Sequence, residues 1–270
     1  MGDGAVKIGF IGGGALAEAL VKGLAGKLVK DPGDICVSDH KEERCEELRE
    51  KYHVKAMVGA GSFVPAVDVL VLAIKPKDAR KAMEETAPAV RKDTLIVSVV
   101  AGMKLQVIEE YFPENPVIRV MPNVPQSVGE GMAAYVLGAR VHDHDAQKVR
   151  DIWSSVGRAV EVPESLMDAV TGLSGSGPAF AFLMIDALAD GGVAAGLPRK
   201  TAILLAAQTL LGSAKMVLET GLHPDVLRDQ VTSPAGTTIA GVRVLEEKGF
   251  RSALIEAVMA ATETSRTLGK

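Results

Sequence analysis

Apolar positions along this chain keep two different rhythms, and the change between them divides it. Through the first part, short and nearly continuous apolar runs alternate with stretches of helical period. Residues 7–11, 35–40, 55–58, 67–74, 94–100, 117–121, 132–137 and 160–162 read as strands. The apolar run Val67-Asp68-Val69-Leu70-Val71-Leu72-Ala73-Ile74 suits a central parallel strand buried on both faces. Between these runs, apolar residues recur at helical spacing through Leu20, Val21 and Leu24, residues 42–52 form a charged surface helix, and 145–156 another helix. Strands alternating with helices predict an α/β fold with a doubly wound parallel sheet.

From Leu166 onward no strand pattern appears, and alanine, leucine and glycine dominate. Residues 178–195 read as one helix, with Pro178 near its start, where proline is tolerated. A second, 198–219, is apolar on more than one face, at Ile203, Leu204, Leu205, Ala206, Leu210, Leu211 and Ala214. Such a helix must be buried, and this segment is too short to bury it alone. The expectation is a homodimer, or a higher homo-oligomer, that exchanges helices; a tight monomeric bundle is the alternative. The chain therefore divides at 163/164, into an α/β domain (1–163) and a helical domain (164–270).

Composition narrows the classes. A length of 270 residues suits two domains. A net charge of −4 and 4% aromatic residues give neither the charge nor the stacking platforms that nucleic acid or an anionic membrane needs. Cys36 and Cys45 form no CxxC spacing and read as reduced thiols. The start, Met1-Gly2-Asp3-Gly4, has no signal-peptide pattern, Val6 breaks the myristoylation pattern, and no uninterrupted apolar run reaches the ~18 residues of a membrane helix. The expectation is a soluble, cytoplasmic protein whose partners are a small molecule and its own copy.

The chemistry begins at Ile11-Gly12-Gly13-Gly14-Ala15-Leu16-Ala17. A glycine turn that follows a strand and opens a helix is the setting in which G-x-G-x-x-G/A holds a dinucleotide. Ser38-Asp39-His40 closes the second strand, where the adenosine ribose belongs. Asp39 favours a free 2′-hydroxyl, whereas Ser38, His40 and Lys41 can hold a phosphate, so NADH and NADPH both stay open. Ligands of such sheets lie beyond the strands' carboxyl ends. Ala73-Ile74-Lys75-Pro76, Val100-Ala101-Gly102 and Met121-Pro122-Asn123 are therefore expected to line one crevice. His142-Asp143-His144-Asp145 reads as a solvated helix cap, and no metal site is expected.

Two further stretches carry candidate chemistry. Gly172-Leu173-Ser174-Gly175-Ser176-Gly177-Pro178 reads as a turn joining the halves, either approaching the nicotinamide or serving as a hinge. Val231-Thr232-Ser233-Pro234-Ala235-Gly236-Thr237-Thr238 offers hydroxyls and free N–H groups before a helix, either as a plain turn or as a carboxylate site.

These residues carry a resemblance. Ile11-Gly12-Gly13-Gly14, Lys75-Pro76, Arg119-Val120-Met121-Pro122-Asn123, 172–178 and 231–238 together resemble the Δ1-pyrroline-5-carboxylate reductase family, as do 187–192, 196–199, 206–209 and 212–219. The resemblance spans essentially the whole chain. It implies a Rossmann-type domain, an all-helical dimerisation domain, and NAD(P)H-dependent hydride transfer to a cyclic imine to give L-proline. It further implies that Thr238 bonds the imine nitrogen, that Ser233, Gly236 and Thr237 hold the substrate carboxylate, and that Glu164 lies near the substrate. Two departures stand out. The family often reads Ser-Pro-Gly-Gly where this chain has Ser233-Pro234-Ala235-Gly236, and Asn-Arg where it has Asp39-His40.

The rival 3-hydroxyacid dehydrogenases carry a lysine on the helix after the interdomain turn. Here 178–198 contains neither lysine nor arginine. A silent nucleotide-sensing regulator should have lost the hydroxyl-rich loop, which is present.

Overall fold

The computed structural model describes residues 6–268; the Met1-Gly2-Asp3-Gly4 start lies outside them. Eight strands form one sheet: β1 (Ile8–Ile11), β2 (Ile35–Asp39), β3 (Lys55–Val58), β4 (Val69–Leu72), β5 (Leu95–Ser98), β6 (Val117–Met121), β7 (Gly131–Leu137) and β8 (Gly157–Glu161). Their order is β3-β2-β1-β4-β5-β6-β7-β8. The first six are parallel, in the strand order of dinucleotide-binding sheets. The doubly wound parallel sheet is as expected, and the last two strands, whose direction the sequence left open, form a mixed edge: β7 runs antiparallel to β6, and β8 parallel to β7. Only the short helical turn Val124–Val128 and a few flanking residues join β6 to β7, too little chain for a parallel crossover.

Helices cover both faces of the sheet, α1 (Ala15–Leu24), α2 (Glu42–Tyr52), α3 (Pro76–Thr86), α4 (Leu105–Tyr111) and α5 (Asp143–Ser154). Because side chains alternate across a strand, Ile8, Phe10, Val69 and Val71 join one buried cluster, with Leu20, Leu24 and Trp153. Leu70, Leu72 and Ile96 join the opposite one, with Met83, Ile108 and Phe112. Gly9 faces the second cluster, where a Cβ would come within 2.8 Å of the Phe63 ring.

The glycine-rich stretch expected as a turn is helical instead. The short helix α6 (Met167–Val170) continues as a π-helical segment, Thr171–Gly175, into α7 (Gly177–Ala194). Thr171 Oγ1 donates to Met167 O at 2.9 Å and Ser174 Oγ to Val170 O at 3.1 Å. These side-chain bonds satisfy carbonyls that the widened turn loosens.

The helices α8 (Arg199–Thr220), α9 (Pro224–Gln230), α10 (Thr237–Glu247) and α11 (Phe250–Leu268) complete the chain. By compactness, one unit holds residues up to Gly175 together with those from Ala261 onward, and the other is Ser176–Ala260. In the first, Ser265 Oγ donates to Asp168 Oδ1 at 2.7 Å. In the second, α7 meets α8 over Ala189, Ala202 and Ala206, and a Cβ on Gly192 would lie 3.1 Å from that of Ala202. Small residues fill this seam and leave the large ones outside: Phe182 is 61% exposed, Leu183 69% and Leu204 66%. Two helical runs, Glu164–Ala194 and Arg199–Thr220, are long and apolar enough to cross a membrane by length and composition alone. Counting only uninterrupted apolar residues missed them.

Candidate active site

The glycine turn is held from three sides. Gly12 N–H donates to Ser38 O at 2.8 Å, and Ala73 N–H donates to Ile11 O at 2.8 Å, so β2 and β4 grip the end of β1. Gly12 has φ of +99°, and a Cβ there would collide with Ala73 O. Conformation and contact both require glycine. Gly13 N–H donates to Asp39 Oδ2 at 3.0 Å, while Gly13 O accepts from Arg44 Nε at 2.7 Å. Arg44 is fixed in turn by Glu18 at 2.6 Å, which also accepts from Lys51 and Tyr52. The Lys51 and Arg44 bonds hold the Glu18 carboxyl down at about 2, well below the usual range.

Gly14 then caps the N-terminus of α1, and a Cβ there would meet nothing within 4 Å. Open space above a helix N-terminus is what a pyrophosphate needs, so the residues present fit a dinucleotide. A cavity of about 920 Å³ adjoins it, lined by Ile11, Gly12, Gly14, Ser38, Asp39, His40, Ala73, Ile74 and Lys75. Sequence reasoning missed the wall formed by Val58, Gly59, Ala60, Gly61 and Val64 and by Lys77, Asp78 and Lys81 of α3. The Gly59 and Gly61 pair beside apolar residues was the available signal.

The other expected crevice residues do not line this cavity. Gly13 lies beneath the turn, Ala15 and Leu16 form the first turn of α1, and Leu16 O accepts from Gln126 Nε2 at 3.2 Å. Pro76 opens α3. Val100 is buried, its N–H on Ser98 Oγ at 3.3 Å, and Ala101 and Gly102 form a turn after it. Met121 ends β6 and Pro122 follows. Asn123 is committed to the protein: Oδ1 accepts from Met132 N–H at 2.8 Å and Nδ2 donates to Ser174 O at 3.0 Å. It fastens the π-helical segment to the end of β6. Asp39 is similarly engaged, since Oδ1 accepts from Lys41 N–H at 3.1 Å and approaches His40 Nδ1 at 3.2 Å.

Glu164 is also tied. Its Oε1 accepts from Arg119 Nη1 at 2.5 Å and from Leu105 N–H at 3.2 Å, while its buried Oε2 has no protein partner among the described residues.

In the second unit, Gly236 N–H donates to Ser233 O at 3.1 Å, closing a tight turn over Pro234 and Ala235. Gly236 caps α10, whose first residues are Thr237 and Thr238. A Cβ on Gly236 would lie 2.4 Å from Ser233 Oγ, so the Ser233 hydroxyl would have to rotate away to admit one. Ala235 has φ of +55°, the condition under which its methyl group is no longer tolerated without cost.

The His142–Asp145 stretch caps α5, as expected, but it is not wholly solvated. Asp145 is 2% exposed and accepts from His142 N–H at 3.3 Å.

Comparison with known proteins matches this geometry. The family model described as pyrroline-5-carboxylate reductase dimerisation matches residues 164–268. The one described as NADP oxidoreductase, coenzyme F420-dependent, matches 7–102. The pyrroline-5-carboxylate reductase of Synechocystis is 47% identical over 98% of this chain and 99% of its own length.

The chain belongs to the pyrroline-5-carboxylate reductase family.

The Arabidopsis thaliana member is 45% identical over 98% of this chain and 96% of its own. Among solved family members, the Coxiella burnetii reductase superposes with a TM-score of 0.93 at 34% identity, covering 99% of this chain and 100% of its own. The Plasmodium falciparum reductase, solved with NADP bound, superposes at 0.86 and 32%, covering 98% of each chain. The α/β fold, with its Rossmann-type sheet and C-terminal helical dimerisation region, is the family's. A 3-hydroxyisobutyrate dehydrogenase of Mycobacterium tuberculosis, at 13% identity and a TM-score of 0.52, shares the fold alone.

Proposed function

We propose that this chain reduces Δ1-pyrroline-5-carboxylate to L-proline with NADPH or NADH, as the last step of proline biosynthesis. The reduced nicotinamide supplies the hydride. What the chain must add is position, carboxylate binding and a surrounding that favours the protonated imine. One observation carries this reading over alcohol oxidation: from Pro178 to Pro198 the only ionisable residues are Asp186 and Asp190. A protonated imine is already electrophilic and needs no lysine base.

The roles are assigned residue by residue as the family resemblance implies them. Gly12, Gly13 and Gly14, with Ile11, Ala15 and Leu16, form the pyrophosphate turn. Ser38, Asp39 and His40 meet the adenosine ribose, and Ala73 to Pro76, Val100 to Gly102 and Met121 to Asn123 serve the crevice toward the nicotinamide. Ser233, Gly236 and Thr237 bind the substrate carboxylate at the N-terminus of α10, where unpaired N–H groups and the helix dipole favour an anion. Thr238 Oγ1 accepts the imine N–H, and Glu164 stands near the substrate. Well-oriented reactants gain roughly 7–11 kcal/mol, against about 1–3 kcal/mol for one hydrogen bond at Thr238, so positioning contributes more than that bond.

The proposed domains are 1–163 and 164–270, the second forming a homodimer. The dimerisation family model covers both long apolar helices, so a second copy, rather than a membrane, is their proposed cover. A cytoplasmic location and the lack of nucleic-acid or membrane partners belong to the same proposal, supported by the net charge of −4 and the 4% aromatic content. The test mixes purified protein with pyrroline-5-carboxylate and either reduced nicotinamide. Loss of nicotinamide absorbance is expected, and no turnover with either cofactor would overturn the reading.

A further inference from the structure

Gln126 is buried, at 4% exposed, in the short helical turn Val124–Val128, outside every motif read in the sequence. Its backbone is fixed from several sides. Gln126 N–H donates to Asn123 O at 3.3 Å, and Gln126 O accepts from Gly129 N–H at 3.1 Å. A Cβ on Gly131, at the start of β7, would come within 2.6 Å of Gln126 Cβ. The side chain reaches across 110 positions of sequence to α1, where Nε2 donates to Leu16 O at 3.2 Å. The other amide atom, Oε1, is buried and has no protein partner among the described residues. Exchanging the two atoms would set two acceptors against each other, so the donor faces α1. An amide with one buried atom unpaired costs stability that an apolar side chain of the same size would keep.

The carbonyl that Gln126 holds shares its peptide unit with Ala17 N–H. The first internal bond of α1 runs from Glu18 N–H to Gly14 O at 2.9 Å. The N–H groups of Ala15, Leu16 and Ala17 therefore precede the helix ladder and face its start. A donor on the oxygen of a peptide polarises that peptide, and its N–H becomes a stronger donor in turn. We infer that Gln126 is a positioning residue for the dinucleotide: its bond to Leu16 O fixes the first turn of α1 and strengthens Ala17 N–H toward the pyrophosphate. This rests on the reading of the 11–17 turn as the pyrophosphate site. Gln126 is not among the residues lining the cavity, and it acts through the helix.

Two variants separate this role from packing, read by calorimetric titration with NAD+ and with NADP+ and by the Tm of the ligand-free protein. Gln126→Met has nearly the same length and neither donor nor acceptor. It raises the Kd of both dinucleotides by the same factor, about tenfold, because the pyrophosphate is common to them. Its Tm stays at the wild-type value, since the lost bond is offset by removal of the unpaired oxygen. Gln126→Asn keeps the amide but is too short to reach Leu16 O. It weakens binding as much as Gln126→Met and lowers the Tm as well, because both of its polar atoms are left unpaired. The KM for pyrroline-5-carboxylate at saturating nicotinamide changes in neither variant. Equal losses of affinity with unequal Tm values support the inference. An unchanged Kd in Gln126→Met overturns it, as does affinity that falls only in step with Tm or a Gln126→Met chain that does not fold. A wild type that binds neither dinucleotide overturns the reading of the 11–17 turn itself, and the inference with it.

Discussion

Arg119 Nη1 donates to Glu164 Oε1 at 2.5 Å, across 45 positions of sequence, and the same oxygen accepts the Leu105 N–H that opens α4. The Arg119 side chain is 9% exposed and that of Glu164 34%. A single carboxylate thus joins the middle of β6, the start of α4 and the segment leading into the helices. Removing one partner leaves a poorly solvated charge. Arg119→Met is expected to cost about 3 kcal/mol in urea unfolding, and the double variant Arg119→Met/Glu164→Gln to recover part of it. Additive losses would show that the pair is not coupled.

The grip on the glycine turn has a pH signature. Glu18 is held at about 2, first by Lys51 and then by Arg44. Its folded value lies below its unfolded one, so its contribution is complete above the unfolded value, near pH ~4.3. That contribution is lost as pH falls toward 2. Glu18→Gln should flatten the stability–pH curve across this acid window and leave its shape at neutral pH unchanged. An identical acid slope in the variant would contradict the assignment.

Gly12 and Gly14 separate folding from binding. Gly12→Ala forces a side chain into φ of +99° against Ala73 O, and should weaken nicotinamide dinucleotide binding roughly 10- to 100-fold, with a lower Tm. Gly14→Ala has φ of −68° and nothing within 4 Å. It should keep its Tm and lose affinity, because its methyl enters the pyrophosphate space. Calorimetric titration with the oxidised cofactor reads both.

Leu183 and Leu204 test the helical interface. Exposed by 69% and 66% in the single chain, they should be covered in solution. The wild type is expected to sediment as a dimer or larger, and Leu204→Asp to shift it toward monomer and lose activity. A monomeric, active wild type would refute the dimer.

Thr238→Ala should slow turnover about 5- to 150-fold without abolishing it, because orientation contributes more than one hydrogen bond. A variant with unchanged kcat and KM would remove Thr238 from the reaction.

Much of this fold was legible in the apolar runs. The strands came out nearly in place: 67–74 was trimmed to Val69–Leu72, because the ladder ends where Leu72 meets Ser98, whereas 160–162 lengthened and shifted to Gly157–Glu161. Strand direction was not legible, since an apolar run carries no sense of direction and only the short connection after β6 hinted at reversal. Glycines hid the π-helical segment, where Ser174 and Thr171 supply bonds that composition does not reveal. Asp39 was read as a ribose ligand, and its bond to Gly13 N–H depends on how the chain folds back. Ala235 was visible as a departure, but its cost rests on the sign of one dihedral angle.

The central claim is direct hydride transfer to the imine carbon. Reduced nicotinamide carrying deuterium at its transferable position should yield proline labelled on the ring carbon beside nitrogen, one deuterium per cofactor oxidised. Unlabelled proline, or cofactor oxidation without proline, would contradict the account.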